Sequence, residues 1–193
     1  MSIINLSEDD YYSQRNNKIK PGVACMPTSR VMFYLGNKFE ILNDSEYAHD
    51  DYFMNLLNTT EAYQFCHKKY PWAKGKYPPN EVHGMYCSWL DEKVIGERMS
   101  NFVEDLTWRD YLTKIAMGQV IMTSGSFPEA GIDGHAFCII GQEDDNKLML
   151  ADPYGKYPDY KSDNGYGTTM SKDDFIKYIF PCGSLKKWGH ILL

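Results

Sequence analysis

The sequence predicts an α+β chain, helices first and strands late. Apolar residues recur at helical spacing through most of residues 25 to 117. After Gly118 the period changes to short apolar runs separated by clusters of Gly, Pro, Asn and Asp. With 193 residues, 43% of them apolar, the chain can bury a core of ordinary to large size. A single domain over 1–193 is expected, its helical part at about 25–117 and its sheet part at about 118–193. The helical lobe would pack against a mainly antiparallel sheet.

Residues 1 to 24 read as an irregular arm, with Asn16, Asn17, Pro21 and Gly22 as turn signals. The stretch Gly22 to Gly36 then places a cysteine where a helix begins. Pro27 suits a first turn, because the amide hydrogen it lacks would have no helical partner there. Val31, Met32 and Leu35 share one face, and Gly36 is a natural stop. Cys25 thus lies among unpaired amides at the positive end of a helix dipole, which favours a thiolate over a thiol. A thiolate is the attacking form of a nucleophilic cysteine, and a buried inert thiol is the competing reading.

Three further helical segments follow: Ser45 to Leu57 behind an Asn43-Asp44-Ser45 cap, Thr60 to Tyr70 behind Thr59, and Ser88 to Ser100. Pro71, Pro78 and Pro79 mark a loop carrying Trp72 and Tyr77. Thr107 with Asp110 three positions later opens a helix ending near Met117. Strands are expected at Gln119 to Thr123, His135 to Ile140 and Lys147 to Asp152, with turns at Ser124 to Gly134 and Gly141 to Asn146. Residues 153 to 169 read as a loop, Ser171 caps a last helix to about Ile179, and Trp188 to Leu193 would close the sheet.

The second and third strands form a hairpin. A turn centred at Glu143 and Asp144 sets His135 opposite Asp152, and such partners hold their Cβ atoms about 4.5–5.5 Å apart. A slip of one residue would put the two on opposite faces. A histidine beside a carboxylate has its ring orientation fixed, as a general base requires, and a satisfied core histidine is the alternative. Joined to Cys25, the pair suggests a nucleophile, a base and an orienting carboxylate.

These residues resemble a known family. Ala24-Cys25-Met26-Pro27-Thr28-Ser29, Gly134-His135 with its apolar run to Gly141, and Asp152-Pro153-Tyr154-Gly155 are similar to motifs of bacteriocin-leader-peptidase-like cysteine peptidases, in the papain superfamily. The resemblance implies a papain-like fold with Cys25 as nucleophile, His135 as base and Asp152 as orienter. It departs at Met26, where the family usually has glycine. The family's oxyanion glutamine normally lies closer to the cysteine than Gln14 does. The Gln14-Arg15-Asn16-Asn17 stretch is similar to one in phage and bacterial relatives at this longer distance, so Gln14 is the implied oxyanion donor, with Asn16 and Asn17 as competitors.

The formal charge of −6 and the lack of a basic cluster argue against nucleic acid as a partner. Neither a signal peptide nor a membrane span is visible, so synthesis in the cytoplasm is expected. Five cysteines without framework spacing suggest reduced thiols. Cys66, His67, His83 and Cys87 have poor zinc spacing, and no metal or cofactor is expected. The Tyr154 to Tyr166 loop and the Trp72 to Tyr77 stretch are candidates to line a groove for a sugar-peptide substrate. Likeness to phage-borne relatives points to peptidoglycan peptides, cut at the cell wall after release, as by an endolysin. Acyl transfer or deamidation on the same triad, and a non-catalytic binder that kept the fold, are the alternatives. Nothing in the sequence fixes an oligomeric state.

Overall fold

The computed structural model describes residues 2–69 and 80–193, without the side chains of Cys66, His67, Lys69 and residues 80–84. Helix α1 (Cys25–Gly36) starts and ends where the sequence places it. It is buried nearly all round rather than on one face, from Pro27 to Tyr34 and again at Gly36. A helix so enclosed is a central strut, and its surroundings explain why. Helices α2 (His49–Leu57), α3 (Thr60–Lys69) and α4 (Asn80–Val94) lie beyond it, and the sheet lies beneath it.

Helix α2 begins four residues later than the expected Ser45. Asn43 Oδ1 accepts bonds from the Ser45 amide and hydroxyl, at 3.0 and 2.6 Å, making a local turn instead of a helix cap. Helix α3 is capped as expected, the Ala62 amide donating to Thr59 Oγ1 at 3.2 Å. Helix α4 ends at Val94, short of Ser100, because Asp91 Oδ2 takes the amides of Met99 and Ser100, both at 3.1 Å, and turns the chain outward. Strand β2 (Ser100–Leu106) follows, inside the region read as helical. The expected loop with Trp72 and Tyr77 lies outside the described residues.

Helix α5 (Trp108–Ala116) has the reciprocal cap read from Thr107 and Asp110. Strands β3 (Ile121–Phe127), β4 (Ile132–Asp144), β5 (Lys147–Ala151), β6 (Tyr166–Ser171) and β7 (Lys187–Leu192) complete an antiparallel sheet ordered β2-β7-β3-β4-β5-β6. The short arm strand β1 (Ile3–Ile4) pairs with β4 past the end of β3. Strand β3 outruns the expected Thr123, carried through Gly125, where a Cβ would come within 2.7 Å of the Tyr178 carbonyl. Strand β6 lies in the segment read as loop. Ser171 caps α6 (Lys172–Tyr178) through the Asp174 amide.

Strand β4 separates two cores. Ala136, Cys138 and Ile140 pack under α1 with Val31, Met32 and Leu90. Phe137 and Ile139 face the other way, against Tyr111 and Ile115 of α5 and Phe175 of α6. Helices therefore cover both faces of the sheet; α5 is not part of the lobe that holds α1, as the sequence reading had it. The buried guanidinium of Arg30 on α1 contacts Asp91 of α4 and Ser100 of β2, while Tyr34 Oη donates to Asp91 at 2.6 Å. That network ties the strut to both neighbours.

Candidate active site

The sulfur's position follows from stitching one helical turn later. Ser29 Oγ donates to the Ala136 carbonyl at 3.0 Å, and the Cys138 thiol donates to the Ser29 carbonyl at 3.1 Å. Ser29 lies four residues after Cys25 and Ala136 directly follows His135, so these bonds dock the start of α1 beside His135. Cys25 remains partly exposed, hydrogen-bonded to His135 and to the amides of Ala136 and Met26. Burial is the largest influence on the thiol and pushes it up. The bond to His135, the imidazolium charge and the two amides more than offset this, and hold it below the ordinary 9.0.

His135 Nε2 is 2.6 Å from Asp152 Oδ1, which leaves Nδ1 for the sulfur. Burial alone would lower the imidazole. The Asp152 charge and hydrogen bond, followed by the Cys25 contacts, raise it instead from 6.5 to about 10. Both shifts favour the thiolate and the imidazolium over the neutral pair. Asp152 is fully buried, and its Oδ1 also accepts the Tyr154 amide at 2.9 Å.

The hairpin of β4 and β5 has a different register from the expected one. The ladder pairs Cys138 with Ala151 and Ile139 with Leu150, so one further step would set Asp152 opposite Phe137. The strands run on to a two-residue turn at Asp145 and Asn146, with irregularities between Ile139 and Gly141 and between Gln142 and Asp144. The offset from the expected pairing is two residues, so parity survives, and His135 reaches Asp152 diagonally.

Gln14 is 2% exposed and lines the same cleft as Cys25 and His135. Its amide nitrogen donates to the Pro21 carbonyl at 2.8 Å, and its backbone amide donates to the Pro153 carbonyl at 2.9 Å. Asn17 is committed elsewhere: its Nδ2 donates to Asp50 and its Oδ1 accepts the amides of Ile19 and Lys20. Asn16 is exposed and is not among the residues lining the cleft. The structure therefore groups Gln14, Cys25, His135 and Asp152 and leaves the two asparagines out.

The cleft encloses about 1010 Å³, with Met26, Met54, Leu57, Phe102, Phe180 and Trp188 among its apolar lining. The Phe180 and Phe102 rings lie 5.3 and 6.1 Å from Trp188. Lys187, buried, donates to the carbonyls of Ile176, Ile179 and Pro181 at 2.7, 2.7 and 2.9 Å, and so fastens the Phe180 turn to the strand that carries Trp188. Of the tyrosine loop, Tyr154 lines the cleft, whereas Tyr157 and Tyr160 are buried. The loop packs inward around His135 more than it lines a groove. Sequence reasoning missed Ser29, Tyr11 and Tyr160 at the site. Of these only Ser29 had a signal, its place at the end of the Ala24 to Ser29 motif.

Of the proposed zinc ligands, Cys66, His67 and His83 fall outside the described side chains. Cys87 is buried 3.8 Å from His190, its thiol pushed up to about 12 by burial. Among the described residues, no helix is long and apolar enough to cross a membrane.

The arrangement of helices on an antiparallel sheet has a counterpart among solved structures. The chain superposes on a crystal structure from Bacillus anthracis assigned as a C39-like peptidase, with a TM-score of 0.61 and 12% identity, covering 100% of this chain and 98% of that one. No family model and no curated protein matches the chain.

Proposed function

We propose that the protein is a cysteine peptidase that hydrolyses a peptide or amide bond through Cys25, His135 and Asp152. The observation that carries this reading is the continuous contact from the Cys25 sulfur to His135 and on to Asp152, in a cleft that also holds Gln14. The Cys25 thiolate attacks the substrate carbonyl carbon, forming a C–S bond as the π pair moves to oxygen. The Cys25 amide, without a helical partner at the first position of α1, and the free hydrogen of Gln14 Nε2 hold that oxyanion. Collapse breaks the C–N bond, and the leaving amine takes the proton of the His135 imidazolium. Neutral His135 then accepts a proton from water as the water attacks the thioester, which releases the acid and restores the ion pair.

The substrate class we propose is the peptide moiety of peptidoglycan, cleaved at the wall after release. The likeness of the Gln14 to Asn17 arm to phage-borne relatives supports it. Purified cell walls and a peptide mixture, each treated with wild-type protein and with Cys25→Ala, test both levels. The expected result is new amino groups and falling turbidity with wild-type protein only. Cleavage of peptides without any effect on walls would keep the peptidase and reject the wall substrate. No new amino groups from either would reject both.

A further inference from the structure

We propose that Tyr160 is a positioning residue of the catalytic set, its hydroxyl fixing the Asp152 carboxylate that orients His135. The proposal rests on the reading of Cys25, His135 and Asp152 given above. Tyr160 Oη lies 3.2 Å from Asp152 Oδ2, the oxygen that His135 does not use. With His135 Nε2 and the Tyr154 amide on Oδ1, the carboxylate has donors on both oxygens in a site without solvent. A carboxylate held at one oxygen can swing about its Cβ–Cγ bond, and one held at both cannot.

The backbone supports this reading. Tyr160 has φ 53, in the left-handed region that a bulky residue adopts only at a cost. Two bonds hold it there: its amide donates to the Lys156 carbonyl at 2.8 Å, and Arg15 Nη2 donates to its own carbonyl at 2.9 Å. Its ring lies 5.8 Å from those of Phe127 and Tyr154 and 6.4 Å from His135, sealing the His135–Asp152 bond from water. Arg15 adjoins Gln14 in the arm, and Tyr11 Oη from the same arm donates to the Asp152 carbonyl at 2.8 Å. One loop conformation therefore sets both the orienting carboxylate and the arm that carries the oxyanion donor. The titratable and charged groups around Asp152 are His135 and Cys138 from β4, Cys25 from α1, Tyr11 and Arg15 from the arm, and Tyr160.

Tyr160→Phe keeps the ring and removes only the donor. The set then takes up its first proton on the acid side more readily, and the thiolate is lost at higher pH. The experiment is the rate of Cys25 alkylation by iodoacetamide against pH, read by peptide mass so that other cysteines are not counted. Tyr160→Phe is expected to move the acid-side midpoint up by about one pH unit. Site-specific 3-fluorotyrosine at 160, a stronger donor of nearly the same shape, moves it down. Tyr157→Phe, a neighbouring buried tyrosine, serves as the control for packing and leaves it in place.

A midpoint unmoved by either change at 160, or moved equally by Tyr157→Phe, overturns the proposal whatever happens to Tm. A wild-type Cys25 no more reactive than a free thiol overturns both this and the peptidase reading. A shifted midpoint in a protein that cleaves nothing keeps Tyr160 in its role and rejects the peptidase.

Discussion

At the scale of single residues, the site separates two tasks that one deletion can tell apart. In the proposed mechanism Gln14, which lines the cleft, receives charge that develops on a substrate oxygen, while the Cys25–His135 pair exists before substrate arrives. Gln14→Ala is therefore expected to lower kcat by on the order of 10²–10³ with KM little changed. Its rate of Cys25 alkylation should stay near wild type, because the side chain is not among the groups bonded to the sulfur. Alkylation lost in parallel with turnover would show Gln14 acting on the thiol instead. Cys25, His135 and Asp152 were legible in the sequence because each sits in a motif with its own local signal: a helix start, a glycine before a strand, a strand end. Tyr160 was not legible. Its role depends on a backbone angle and on Arg15, far away in the chain, and neither leaves a periodic trace.

At the scale of elements, α1, α3, α5, α6 and β7 were legible, while β1, β2 and β6 were not. Helices α3, α5 and α6 carry side-chain caps at their starts, which Thr107 with Asp110 shows in full, whereas α1 is marked by Pro27 in its first turn and has no side-chain N-cap. The missed strands owe their state to partners. Strand β2 forms because Asp91 turns the chain and β7 lies ready to pair with it, and its own sequence, Ser-Asn-Phe-Val-Glu-Asp-Leu, does not alternate cleanly. Two residues of β1 hold to β4 only through close backbone approach at Gly141, where a Cβ would lie 2.0 Å from the Ile3 carbonyl. Gly141→Ala is expected to detach β1, at a cost of about 1–2 kcal/mol. The amide of Asn5, which donates to the Ile140 carbonyl at 2.7 Å, should then lose its protection in hydrogen exchange while those at the centre of β4 keep theirs.

At the scale of the whole molecule, the ion pair of the site makes stability depend on pH with a sign that can be worked out. His135 is raised in the folded chain to about 10 from 6.5, and Cys25 is lowered from 9.0. The raised His135 contributes stability that is full below 6.5 and is lost as pH rises through about 10, while the lowered Cys25 contributes stability that is full above 9.0 and is lost as pH falls below it. From 9.0 upward the unfolded thiol ionises while the folded imidazolium keeps its proton up to about 10, so the folded state binds more protons and the pair's contribution declines. The Tm difference between wild type and His135→Gln should accordingly narrow as pH rises from 9.0 to about 10. A difference that widens over that interval would refute the raised imidazole. The burial of α1 on every side has one more consequence. The Cys25 sulfur sits at the start of this enclosed helix, whereas Phe102, Phe180 and Trp188 belong to the walls around it. On the proposed peptidase reading, drift in those walls can change which chains are admitted while leaving the attacking sulfur where it is, so descendants of this protein can diverge in diet without relearning their chemistry.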